Sequence, residues 1–78
     1  MTKEDILGID NRITSCYIEL PEEDGDEYYV KIYFNWKHVN QKKVHHDGRH
    51  EFSAKTKSKL LNSIKNFLKC SESGFLIV

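Results

Sequence analysis

The densest run of potentially reactive side chains is HHDGRHE, residues 45–51, with His38 upstream. Imidazoles and carboxylates are ligands that transition metals accept, and several converging on one point would hold zinc. Asp47-Gly48 is a two-residue turn signal. A tight turn there would set His45 and His50 face to face, with Asp47 or Glu51 beside them. The spacing matches no structural zinc pattern, however, and no cysteine lies close in sequence. These histidines therefore read as surface residues of a turn, and no metal or other cofactor is expected. A nucleophile is equally hard to find. The chain has no glycine-rich phosphate loop, no Cys-x-x-Cys pair, and no serine, histidine and acid in a catalytic setting. Cys16 and Cys70 read as small core or boundary residues rather than reactive thiols. The chain reads as a binding protein, not an enzyme.

Binding chemistry has a clearer signature. Residues 28–37, YYVKIYFNWK, alternate strictly, and one face carries Tyr29, Lys31, Tyr33, Asn35 and Lys37. Aromatic rings interleaved with lysines suit nucleic acid, since rings stack on bases and ammonium groups meet phosphates. Lys42 and Lys43 follow in the next segment. Lys55, Lys57 and Lys59 stand at the start of a helical pattern, where cations oppose the helix dipole and an incoming phosphate would offset that cost. Leaving aside Asn35, these two tyrosines and seven lysines form the candidate nucleic-acid contact. The bland alternative is that tyrosine and lysine merely keep exposed surfaces wet.

The opposite pole is PEEDGDE, residues 21–27, with Glu22, Glu23, Asp24, Asp26 and Glu27 around Gly25. Carboxylates at this density can imitate phosphates and occupy the basic channel of a nucleic-acid enzyme. The chain could thus act as a DNA mimic: a protein–protein inhibitor or adaptor of the phage anti-defence type. A solvated hairpin tip is the bland reading of the same residues.

The elements that must position these groups follow from periodicity. Thr2 and Asp5 have the form of a capping box opening a short helix that ends at Gly8. Residues 13–20 read as a strand with Cys16, Ile18 and Leu20 inward and Ser15, Tyr17 and Glu19 outward. It should form a hairpin with the strand at 28–37, whose inward face is Tyr28, Val30, Ile32, Phe34 and Trp36. Residues 39–46 suggest a third strand with Val44 in the core, returning at 49–52 around Asp47-Gly48 and anchored by Phe52. A helix is expected over residues 54–70, with Leu60, Leu61, Ile64, Phe67 and Leu68 as one buried stripe. The last four residues, FLIV, should add a strand or plug the core. The expected architecture is α+β: an antiparallel sheet of three to four strands packed against one long C-terminal helix, with a short N-terminal helix.

Two likenesses attach to these elements. The order of aromatic strand, basic strand and Phe52-x-x-Lys55-Thr56-Lys57 leading into a helix resembles the arm-type DNA-binding domains of phage integrases. That likeness implies a three-stranded sheet face against DNA, backed by a helix; Glu51 stands where the family has glycine. The α-β-β-β-α order with lysines opening the last helix is also similar to double-stranded-RNA-binding domains, which pack alanines where this helix has leucines. Neither likeness assigns a family.

Composition sets the outer bounds. Seventy-eight residues make one small domain that buries roughly 60% of its unfolded surface. Net charge is zero, but residues 1–27 hold nine acids against two bases, and residues 28–78 hold ten bases against three acids. Such asymmetry points to a polyanion or another charged partner, unless the halves simply attract each other. No apolar run approaches the length of a membrane span, and MTKEDILGID does not have the form of a secretory signal. A cytoplasmic protein is expected, acting on nucleic acid or on a nucleic-acid-processing complex.

Overall fold

The computed structural model describes residues 1–69 and 74–78. The elements run α1 (Lys3–Leu7), β1 (Ile13–Glu19), β2 (Tyr28–His38), β3 (His45–Ala54), α2 (Lys57–Lys69) and β4 (Phe75–Ile77). The four strands form one antiparallel sheet in which β1, β3 and β4 all pair with β2. The expected α+β class is correct.

Strand β2 divides the molecule. Val30, Ile32 and Phe34 are buried on one face, as the alternation requires. Leu60, Ile64 and Leu68 of α2, Ile6 of α1, and Ile13 and Cys16 of β1 complete that core with Ile77 of β4. Both helices therefore cover the same side of the sheet. Trp36 is only half buried and stacks on His45 at 4.3 Å, whereas Phe34 packs on Phe67 at 5.7 Å.

Strand β1 departs from strict alternation. A register shift between Ile13 and Ser15 lets Ile13 and Cys16 both face the core, and the Thr14 hydroxyl donates to the Tyr33 carbonyl at 3.0 Å. The expected inward Leu20 lies beyond the strand and is 51% exposed. Burial raises the pKa of the Cys16 thiol, which keeps it protonated and inert. Cys70 lies outside the described residues.

The largest correction concerns residues 38–54. Asp47-Gly48 is not a turn; it lies inside one continuous strand, His45–Ala54, and Val39 and Val44 are exposed. The connection falls instead at residues 39–44. The pair looks like a turn because of its residue types, but Gly48 is needed for close approach. It sits opposite Phe34, and a Cβ there would come within 2.5 Å of both the Phe34 ring and its carbonyl. The β2–β3 register also shifts between Phe34 and Trp36, so residues 46 and 47 form a bulge.

Because β3 takes Ser53 and Ala54, α2 starts later than expected. Thr56 caps it, its hydroxyl accepting from the Lys59 amide at 3.2 Å. Thirteen residues span about 20 Å, so the helix is not the long one anticipated. The C-terminal apolar residues add a strand: β4 continues the β1 edge of β2, with Trp36 opposite Ile77.

One side chain ties the chain ends together. Arg12 grips Asp10 through Nη2 at 2.7 Å, and donates to the carbonyls of Leu68 at 3.2 Å and Ile77 at 3.3 Å. Leu68 lies in the last turn of α2, where carbonyls lack helical partners. The guanidinium lowers the Asp10 carboxyl from 3.8 to about 2.

Gly48→Ala is expected to destabilise the fold by about 1–3 kcal/mol, as overpacking does; urea unfolding measures it, and a change within error would mean the β2–β3 contact is looser than described. A second expectation concerns acid. The depressed Asp10 value means its ion pair contributes fully above pH ~4–5 and is lost as pH falls toward 2. Asp10→Asn should lower the melting temperature at pH 7 and shrink the further loss between pH 5 and 2 on an acid titration.

Candidate nucleic-acid interface

With both helices on one side, the other side of the sheet is open. Its side chains come from the odd positions of β1, β2 and β3, and the pairing arranges them in rows. Glu19, Tyr29 and Ser53 lie across one row; Tyr17, Lys31 and Glu51 across the next; Ser15, Tyr33 and Arg49 across the third. Asn35 and Lys37 continue the face along β2, where Asn35 Oδ1 lies 2.9 Å from His46 Nδ1.

Three tyrosines thus share one surface. Tyr17 is 48% exposed, Tyr33 36% exposed and Tyr29 half buried. Tyr17 and Tyr29 meet edge to face at 6.2 Å. The Tyr17 hydroxyl donates to Glu19 at 2.7 Å, which raises its pKa; loss of solvent, then Glu51, raises that of Tyr29. Both phenols stay neutral, and the rings most open to stacking are those of Tyr17 and Tyr33.

The cations are less uniform than the spacing suggests. Lys31 is half buried and lies 3.7 Å from Glu51. Its charge is thereby partly compensated. Lys37 is half buried and Arg49 exposed on the same face. The other sequence candidates are elsewhere. Lys42 and Lys43 are exposed in the 39–44 connection, beyond the far end of β2. Lys55, Lys57 and Lys59 are exposed at the start of α2, which packs on the covered side; Lys57 lies 3.6 Å from Asp5. Ala54 pairs with Tyr28, so these three lysines stand at the end of the sheet that carries the acidic loop. The nine predicted residues therefore do not form one surface: Tyr29, Lys31, Tyr33 and Lys37 come together, and the five remaining lysines do not join them.

One tyrosine and one cation of the face, Tyr17 and Arg49, were absent from the sequence candidates. Tyr17 was readable from the β1 alternation. Arg49 was hidden by the turn assigned to Asp47-Gly48, since only a continuous β3 brings it beside Tyr33.

The acidic loop is held by one of its own side chains. Asp26 Oδ2 accepts from the amides of Glu22 at 3.3 Å and Glu23 at 3.1 Å, and Gly25 takes φ +92°. Glu22, Glu23, Asp24 and Glu27 remain exposed around this turn.

The histidines do not face each other across a turn. His45 stacks on Trp36, and His50 stacks on Phe67 at 4.3 Å with its ring nearly parallel. Among the described residues, no group of three metal-ligating side chains converges. On the covered side, the space past the end of α2 forms an aromatic groove of about 570 Å³ between Phe34, Trp36, Phe67 and Phe75. Asp47 lines it and accepts from Trp36 Nε1 at 2.9 Å, which lowers its pKa.

No family model, curated protein or solved structure matches this chain. No helix among the described residues is long and apolar enough to cross a membrane.

His50→Ala is expected to cost about 0.5–1.5 kcal/mol through the lost stack on Phe67. Melting curves with and without a chelator should coincide for the parent; a chelator-dependent shift that His50→Ala abolishes would instead indicate a bound metal.

Proposed function

We propose that this chain is a non-enzymatic binding protein that carries single-stranded nucleic acid, free or within a nucleic-acid-processing complex, on the open face of its sheet. One observation supports this above the rest: Tyr17, Tyr29 and Tyr33 share a face with Lys31, Lys37 and Arg49 while both helices lie on the other side. Such a face offers rings to unstacked bases and cations to the phosphates between them. A duplex suits it less well. Its bases are already stacked, and Glu19 and Glu51 would face a dense double row of phosphates.

A second reading keeps support from the acidic loop. The turn pinned by Asp26 presents Glu22, Glu23, Asp24 and Glu27 together at one exposed tip, the charge density that a protein–protein inhibitor mimicking phosphates requires.

Titration of a fluorescent oligonucleotide at several salt concentrations separates the two. Three engaged cations on a single strand give a slope of log affinity against log salt of about −2. Tyr33→Ala and Tyr17→Ala should each weaken binding by about 1–3 kcal/mol. Replacing Lys55, Lys57 and Lys59 together by Gln should leave the slope nearly unchanged, since those residues lie off the face. No affinity for single strands at physiological salt, with a partner captured only while Glu22, Glu23 and Asp24 are intact, would transfer the function to the loop.

A further inference from the structure

We infer that the free edge of β3 is a self-association surface, on which a second copy of this chain pairs antiparallel about a two-fold axis at His50. Strand β3 bonds to β2 along one edge only. Among the described residues, no backbone group of residues 48–54 donates to or accepts from a partner outside that ladder. A long open edge of this kind is a template for another strand. This stretch has no proline to block pairing, and its only bulge lies at residues 46 and 47.

Charge selects the partner and the register. Antiparallel pairing about His50 sets Arg49 opposite Glu51 of the second copy, twice, on the open face. Glu51 already lies 3.7 Å from Lys31 and its side chain is still 62% exposed. In the pair it would stand between two cations, Lys31 of its own chain and Arg49 of the other. On the covered side Gly48 would face Phe52, and the two His50 imidazoles, each able to donate and accept, would meet at the axis. Neighbouring registers are worse. An axis at Glu51 opposes Glu51 to itself. An axis at Arg49 opposes Arg49 to itself and Asp47 to Glu51. An axis at Gly48 would match Arg49 with Asp47, but Asp47 lies in the bulge and is held by Trp36. Like charges directly opposite destabilise a ladder. Strand β1 offers no equivalent: it carries a single charge, Glu19.

The product is one continuous sheet, β1-β2-β3 joined to β3-β2-β1, with the tyrosine faces of both copies on the same side. The inference stands whether or not that face holds nucleic acid, because its test uses the protein alone.

Sedimentation equilibrium over a concentration series reads the association. The parent should pass from monomer to dimer. Arg49→Glu and Glu51→Arg, each alone, turn two attractive pairs into repulsive ones and should weaken association about tenfold or more. An equal mixture of the two variants restores both pairs and should dimerise as the parent does. Hydrogen exchange on the parent avoids any folding defect of the variants: amides of residues 48–54 should gain protection with concentration while those of β1 do not. A parent that stays monomeric throughout, or a dimer whose β3 exchange is independent of concentration, would overturn the inference. So would single variants that associate as tightly as the parent.

Discussion

Every other strand of the sheet hydrogen-bonds to β2, and its two faces meet opposite demands. Val30, Ile32 and Phe34 must find apolar cover, and Tyr29, Lys31 and Tyr33 cannot share it. A two-residue period makes this division absolute, because a slip of one position would exchange the faces entirely. The placement of α1 and α2 follows. Their apolar stripes can be buried on one side only, which leaves the tyrosine side bare. The core and the candidate site are two consequences of one alternation.

Around that strand, the covered side is closed by a few specific contacts rather than by a long helix. Thr56 starts α2 only after β3 has ended, and Arg12 bridges Leu68 in its last turn to Ile77 of β4. The guanidinium serves carbonyls from two elements while Asp10 compensates its charge, so polar groups near the core are not left without partners. Past the end of α2, rings take over from the helix. Trp36 stacks on His45 and meets Phe75 edge to face, leaving the groove beside Phe34.

The charge asymmetry acquires a geometry that composition does not contain. The acidic loop and the lysines opening α2 stand at the same end of the sheet. Lys42 and Lys43 occupy the far end, and only Lys31, Lys37 and Arg49 are spread among the tyrosines. Part of the split therefore belongs to the fold's own compensation, as with Lys57 and Asp5.

Local pattern alone determined the strand at 28–37 and its two faces, the hairpin across the acidic loop, the buried stripe of Leu60, Ile64 and Leu68, and the α+β class. Each depends on a repeat readable within a dozen residues, and hydrophobic burial enforces such repeats wherever the segment ends up. Tertiary structure decided what depends on a neighbour. Gly48 is a turn residue by type, yet it lies mid-strand because the Phe34 ring and carbonyl leave no room for a Cβ across the ladder. That one pairing extends β3, delays α2 to Lys57 and brings Arg49 beside Tyr33. It also separates histidines that a turn would have joined. The lysines look continuous in sequence because the chain is linear; three dimensions scatter them, because Lys31 and Lys37 alternate with the buried residues of β2, Lys42 and Lys43 fall in an exposed connection, and Lys55, Lys57 and Lys59 open a helix on the covered side.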